Sequence, residues 1–307
     1  MNTSPYSQLP IIELLNIIQQ RPHLDLATLR FEMIRLLTND DVRPLILKLI
    51  TYNILRSNDV PSWSGIIDIL SAELPDIIGL QEVDPRFFDL ISQRAEITAT
   101  YDFVRPNYYQ NTPGSDAELL LIRREYGAIF YEPAILPETS NQNRHTLIAK
   151  FTLDHQGKSI PIIVGTCHLE SFFFSDASTQ IKCSQLTYIS EVMRLIDPHA
   201  THLIFGDMNL TGGPQLNREN ACIDKLGLTD VWKRLHVTSE DENDPLYQQN
   251  DITWDGRNNQ KVPYREFHRP DRIFLRTPGT VTPISIERII NSLSDHYGLR
   301  ASFYFNE

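Results

Sequence analysis

Cysteine is scarce, with only Cys167, Cys183 and Cys222 in 307 residues. An odd, scattered set gives neither a disulfide framework nor a zinc site, and it fits a reducing compartment. No apolar run approaches the roughly 20 residues of a membrane span. Met1 to Pro5 bring neither a basic nor an apolar stretch, so no classical signal peptide is expected. The expectation is an intracellular protein of cytoplasm or nucleus, with other export routes left open. Positive charge is also short: 28 Lys and Arg stand against 39 Asp and Glu, a formal net charge of −11. This excludes coating of nucleic acid by bulk electrostatics and leaves room for a local basic groove holding a few nucleotides. Internal repeats and low-complexity linkers are absent.

What is present is an ordinary globular composition, 41% hydrophobic and 22% charged, which excludes wholesale disorder. Residues 1–43 stand apart. Ile11 to Ile18 and Leu26 to Leu37 carry apolar positions at helical spacing and read as a helical N-terminal extension. It either packs on the main domain or serves as a module for protein docking. The main domain takes residues 44–307. Strands are expected at Leu45 to Tyr52, Asp76 to Leu80, Gly127 to Tyr131, His145 to Leu153, Ile160 to Thr166 and His202 to Phe205. Others are expected at Arg272 to Arg276, Ile284 to Arg288 and Arg300 to Phe305. Helices are expected at Trp63 to Glu73, Pro85 to Glu96, Ala177 to Ile196 and Asn217 to Leu226, and the polar Thr238 to Arg269 reads as a long loop. Strands outnumber helices without a regular βαβ alternation, so an α+β chain is expected, with two sheets packed face to face and helices outside.

Four polar clusters each close a hydrophobic run, Tyr52-Asn53, Gln81-Glu82, His168-Leu169-Glu170-Ser171 and Gly206-Asp207-Met208-Asn209, and a fifth, Ser294-Asp295-His296, stands just before the last strand-like run, Leu299 to Phe305. A sheet fixes a strand-end side chain while water still reaches it. Glu82 there is either a hard-cation ligand or a solvated loop carboxylate. Asn53 ends the preceding strand, where an ordinary turn Asn would also stand. Asp207 and Asn209, two apart in extended geometry, leave on one side, which suits water activation and phosphate orientation. Asp295 and His296 leave on opposite faces, Asp295 toward a metal and His296 toward phosphate. Such an imidazole needs an acceptor behind it, and Asp271 is the candidate. The alternative for Asp271 is a salt bridge with a nearby Arg. His168 is placed either to donate to a non-bridging phosphate oxygen or as a structural strand-end residue.

Thr51-Tyr52-Asn53, Leu80-Gln81-Glu82-Val83, His168-Leu169-Glu170-Ser171, Gly206-Asp207-Met208-Asn209, Asp271 before a strand and Ser294-Asp295-His296 together resemble the endonuclease/exonuclease/phosphatase superfamily, that of DNase I. The motifs fall in the family's order and cover roughly residues 45–307. Thr253-Trp254-Asp255, Asp271-Arg272-Ile273-Phe274 and Tyr297-Gly298-Leu299 are similar to the branch that removes tyrosyl adducts from DNA 5′ ends. The resemblance implies a four-layer α/β/β/α sandwich of mainly antiparallel sheets. It also implies an Mg²⁺-dependent phosphodiesterase, with Mn²⁺ a possible substitute, acting on a nucleic acid end or another phosphodiester. Glu82 would bind the metal, with Asn53 and Asp295 near it. Asp207 would activate water oriented by Asn209, His168 and His296 would stabilise the phosphorane, and Asp271 would hold His296. Trp254 and Ser171 would contact substrate. Leu55 stands where the family often has an acid, and Tyr52-Asn53-Ile54-Leu55 is more similar to the Tyr-Asn-x-Leu of deadenylase-type members. The alternative activity is an RNA phosphodiesterase of the deadenylase or 2′-phosphodiesterase type, or another nuclease or phosphatase of the superfamily. Thr211-Gly212 stand where the tyrosyl-adduct branch has Arg-Asp. A pseudoenzyme that keeps the fold as a binding module is the reading of a different class.

Overall fold

A computed structural model describes residues 46–104, 117–137, 144–155, 157–171, 176–210, 216–236, 252–262, 267–279 and 281–305. The expected helices within 1–43, and much of the polar segment before Arg269, lie outside the described residues. The chain begins with β1 (Ile46–Asn53), α1 (Val60–Glu73), β2 (Ile77–Val83), α2 (Pro85–Ser92), α3 (Ala95–Thr100), β3 (Tyr101–Val104) and β4 (Ala117–Arg123). Then come β5 (Ile129–Phe130), β6 (Ala134–Ile135), β7 (His145–His155), β8 (Lys158–His168), α4 (Asp176–Ile196) and β9 (Thr201–Asp207). The last part holds α5 (Leu216–Lys225), β10 (Thr229–Asp230), α6 (Val231–Leu235), β11 (Trp254–Asp255), β12 (Phe267–His268), β13 (Asp271–Arg276), β14 (Val281–Ile289) and β15 (Gly298–Phe305).

The strands form two large sheets, ordered β14-β15-β1-β2-β4-β3 and β10-β13-β9-β8-β7-β5, with β6 also on β7. Each sheet is antiparallel except for one central parallel pair, β1 with β2 and β8 with β9. Alternation along the strands builds the layers. In β1, Leu47 and Leu49 face the second sheet, where Leu147, Val164, Phe205 and Ile273 meet them. Ile50 and Tyr52 face outward onto Trp63, Ile66 and Leu70 of α1. On the far side, Ile163 and Ile204 pack against Leu186, Ile189 and Met193 of α4. The fold is therefore helix, sheet, sheet, helix. Among the described residues, no helix is long and apolar enough to cross a membrane.

Several local expectations change. The helix expected over Pro85 to Glu96 is two, because Ile91 and Ile97 are both buried in one core. Six residues apart, they would point about 120° away from each other on a straight helix. The chain breaks at Arg94, which is extended and donates to Asp68 at 2.5 Å. The strand expected over Gly127 to Tyr131 shrinks to Ile129–Phe130, since Gly127 (φ 55°) ends a 3-10 turn at Arg124–Tyr126. The inner strand β4, absent from the expectation and next to the edge strand β3, is buried on both faces from Ala117 to Ile122 and shows no alternation. The segment expected as a long loop contains the ribbon β11–β12, in which Trp254 pairs with His268. Cys183 and Cys222 are not scattered in space: Cys222 Sγ lies 3.8 Å from Cys183 O, across α4 and α5.

Gly79 sets how closely the sheets approach. A Cβ there would lie 2.3 Å from the Phe205 ring and 2.7 Å from Thr166 Oγ1. Gly79→Ala is expected to lower stability by about 1–3 kcal/mol through overpacking. The urea midpoint measures it, and Phe205→Leu in the same chain should return part of the loss.

Candidate active site

Register brings the polar clusters to one end of the sandwich. Asp207 pairs with His168 across the parallel β8–β9 ladder and with Asp271 across β9–β13, so the three stand in one row. Gly206 permits this spacing: at φ 137°, a Cβ there would lie 2.0 Å from the Cys167 carbonyl oxygen. On the facing sheet Asn53 pairs with Gln81. Gln81 Nε2 donates to Thr51 Oγ1 (3.2 Å) and to Thr166 Oγ1 (3.0 Å), tying the two sheets beneath the site. The β2–β4 register shifts between Leu80 and Val83, and Glu82 within the irregularity has φ 57°. Such a bulge re-aims a side chain out of the ladder.

The donors converge on Asp207, which is 2% exposed. Its Oδ2 accepts from Asn53 Nδ2 at 3.0 Å and lies 3.3 Å from His168 Nε2 and 3.7 Å from His296 Nε2. Its Oδ1 accepts from the Asn209 N–H at 2.9 Å. The same Asn53 Nδ2 donates to Glu82 Oε1 at 3.2 Å, linking the two carboxylates. The strand ends at Asp207, and Asn209 turns to φ 49°, so these two side chains do not leave together from an extended strand. Instead Asn209 Nδ2 donates to Leu169 O at 3.0 Å, which fixes the amide.

The two imidazoles carry different charges. Burial and the Arg144 guanidinium push His168 down to about 3. Arg144 Nη1 meets His168 Nδ1 at 2.8 Å. Because a guanidinium only donates, Nδ1 accepts and the ring proton sits on Nε2, facing Asp207. Burial also pulls His296 down, but Asp271, Asp295 and Asp207 outweigh it and raise His296 well above its ordinary value. His296 Nδ1 donates to Asp271 Oδ2 at 2.8 Å. Asp207 thus faces a neutral N–H donor and an imidazolium.

Asp271 is free for His296 because the arginines beside it are held elsewhere. Arg269 pairs with Asp230 at 2.8 Å and Arg272 with Asp230 at 2.9 Å, all three buried. Asp230 also caps α6, accepting from the Trp232 and Lys233 N–H groups. Asp295 and His296 point apart. Asp295 Oδ2 accepts from Trp254 Nε1 at 3.4 Å and Oδ1 from Ser294 Oγ at 3.3 Å. Trp254 is half-buried and stacks on His268 with centroids 5.8 Å apart. Ser171 lies three residues beyond His168, its N–H donating to the Glu170 carboxylate at 3.2 Å.

Asp207, Asp271 and His296 offer ligand atoms within 4.8 Å of one another. His296 is held as a donor, however, so it suits hydrogen bonding better than metal ligation. Asp271 Oδ1 is buried without a hydrogen-bond partner. Glu82 and Asp295 offer carboxylate oxygen, whereas Asn53 turns its Nδ2 to Glu82 and its Oδ1 accepts the Leu55 N–H at 3.1 Å. The carboxylate pair fits a hard divalent cation, which takes one or two carboxylates and keeps sites for water and phosphate. Arg144 and Lys182 contact site residues and are missing from the sequence expectations, and Asp230, in Asp230-Val231-Trp232, carried resemblance to the tyrosyl-adduct branch but no expected role. Lys182 left a trace: it falls on the inward stripe of α4 with Leu186, Ile189 and Met193, an unusual place for a charge.

Two mixed sheets closed at one end by carboxylates, imidazoles and a cation-compatible oxygen set define, as a class, the two-sheet hydrolases of phosphoester bonds. The model of the Endonuclease/Exonuclease/phosphatase family matches residues 50–296, and the chain belongs to that family. Tyrosyl-DNA phosphodiesterase 2 of Danio rerio is 24% identical over 251 residues, 78% of this chain and 61% of the relative. The Xenopus tropicalis protein of the same name is 28% identical over 266 residues, 81% of this chain and 62% of the relative. The chain thus spans about three fifths of the length of these curated relatives. The structure of D. rerio TDP2 complexed with single-strand DNA product superposes with a TM-score of 0.61 at 23% identity, covering 84% of this chain and 98% of that chain. TDP2 from Caenorhabditis elegans gives 0.61 at 18%, covering 97% and 90%. A mannosyl-6-phosphatase of Bacteroides thetaiotaomicron gives 0.60 at 14%, covering 84% and 100%, so the fold is common to differing substrates.

Asp230 is expected to show in acid stability. Burial opposes its ionisation, but Arg269 and Arg272 hold its carboxyl well below the usual range. Its contribution is full above the unfolded-state value of about 3.9 and fades as pH falls toward the lower folded value. Asp230→Asn should lose about 3–5 kcal/mol near neutrality by leaving two buried guanidiniums unpaired. The gap from wild type, measured by urea unfolding at several pH values, should narrow below about pH 3.9.

Proposed function

We propose that this chain is a divalent-metal-dependent phosphodiesterase, using Mg²⁺ with Mn²⁺ as a substitute, that hydrolyses a 5′-phosphotyrosyl bond to nucleic acid. The product end is a 5′-phosphate. The observation that carries the reading is the convergence of Asn53, His168 and His296 on Asp207 Oδ2. A carboxylate oxygen there occupies a point already surrounded by donors, as a phosphate oxygen would be. The two relatives named tyrosyl-DNA phosphodiesterase 2 support the choice of substrate over other phosphodiesters.

In this mechanism Asp207 takes a proton from water as its oxygen attacks phosphorus in line with the tyrosyl oxygen. The Asn209 amide, fixed by Leu169 O, presents its Oδ1 to the same water. As the new P–O bond forms and the bond to tyrosine breaks, negative charge grows on the non-bridging oxygens. The His296 imidazolium and the His168 Nε2–H donate to them. Asp271 keeps His296 charged and oriented. Glu82 and Asp295, with Asn53 beside Glu82, would hold the cation, which when bound neutralises phosphate and leaving-group charge. Trp254, half-buried and hydrogen-bonded to Asp295, would stack on a base or sugar of the bound strand. Ser171, half-buried three residues past His168, would add a substrate contact.

The test presents a 5′-tyrosyl oligonucleotide, a poly(A) RNA and an inositol phosphate in parallel, each with Mg²⁺ and with EDTA. Tyrosine release that depends on Mg²⁺ is expected. Asp207→Asn should reduce it by about 10²–10⁴-fold, and Glu82→Ala should raise the Mg²⁺ concentration needed for half-maximal rate. Preference for poly(A) would move the substrate to RNA, and turnover of none of the three would reject the reading.

A further inference from the structure

One face of α4 grips both loops that carry the site. Lys182 Nζ donates to the Asn209 carbonyl at 2.7 Å. One turn later, Gln185 Oε1 accepts from the Glu170 N–H at 2.9 Å, in the segment that follows His168. Lys182 is 2% exposed, and a lysine that deep is rare without a specific task. Leu186, Ile189 and Met193 continue its stripe into the core, so the helix is anchored by packing and its first turns point at the site. Burial holds the ammonium below the usual lysine range, against the pull of Glu219, Asp207 and Glu170.

What Lys182 holds is a strained backbone. Asn209 sits at φ 49°, a region an L side chain enters at a cost. Its N–H bonds Asp207 Oδ1 and its side chain bonds Leu169 O. The ammonium bond to its carbonyl fixes the remaining polar group of the residue.

We propose that Lys182 is a positioning residue: it holds the Asn209 peptide in its left-handed conformation and thereby aims the Asn209 amide at the attacking water. The inference rests on the phosphodiesterase reading for its kinetic consequence, while its structural consequence stands alone. Lys182 does not touch substrate. It acts through Asn209, with Gln185 setting the opposite loop from the same helix face.

The experiment makes Lys182→Met, Asn209→Ala and the double variant, with Met193→Ala as a control that loosens α4 away from the site. On the phosphodiester the wild type cleaves, Lys182→Met should lower kcat by about 10²-fold and leave KM within about twofold, as for a misplaced catalytic group. In the Asn209→Ala background the same change should cost less than about threefold, because the two act as one unit. Met193→Ala should lower Tm at least as far yet keep kcat within about threefold. In a crystal structure of Lys182→Met, Asn209 should leave φ near +49° and lose its contact with Leu169 O. An unmoved Asn209 overturns the proposal, as does full additivity with Asn209→Ala, or a Met193→Ala variant with the same kcat loss. If the wild type cleaves no phosphodiester, the functional reading fails and the Asn209 conformation still decides the role of Lys182.

Discussion

A buried carboxylate must be surrounded by donors, and the architecture around Asp207 follows from that requirement. One oxygen takes a backbone N–H from Asn209, and the other takes the Asn53 amide and faces two imidazoles. Those donors come from β1, β8, the segment before β15 and the turn after β9. Only two sheets packed tightly at one end can deliver all of them to one point. The Gln81 bridge between Thr51 and Thr166 and the missing side chain at Gly79 keep that end closed.

Around this centre, charge is arranged in shells of alternating sign. The carboxylate Asp207 is followed by imidazolium His296, then carboxylate Asp271, while the flanking Arg269 and Arg272 are turned away onto Asp230. On the other side burial, with Arg144 second, keeps His168 neutral, and Arg144 selects its tautomer. The histidines are therefore not interchangeable. One is held toward its charged form by the carboxylates around it, and the other is a dipole whose proton position is dictated from behind.

Much of this was legible in the sequence because strand ends announce themselves: an apolar run, then a polar residue with chemistry. Asn53, Glu82, His168 and Asp207 stand at such places and Asp295-His296 just before the last strand, and their order along the chain pointed to the family. The partners that set their charge were not legible. Arg144 meets His168 across a hairpin, and Asp230 reaches arginines 39 and 42 residues away. Pairing in space leaves no local pattern. The geometry of Asn209 differs from the expected one for a related reason, since at φ 49° it bonds Asp207, Leu169 and Lys182, partners that the Asp-x-Asn spacing does not reveal. β4 was missed because a strand buried on both faces shows no alternation.

Two of the four described non-glycine residues at positive φ are Glu82 and Asn209. Each carries a backbone penalty of about 1–3 kcal/mol that glycine would escape. A glycine at either position would relax the chain while deleting the side chain the site is built from. At these two places, selection for a sturdier fold and selection for a working site pull in opposite directions. Screens of variants for heat resistance alone should therefore drift toward glycine there and return better-folded, silent proteins.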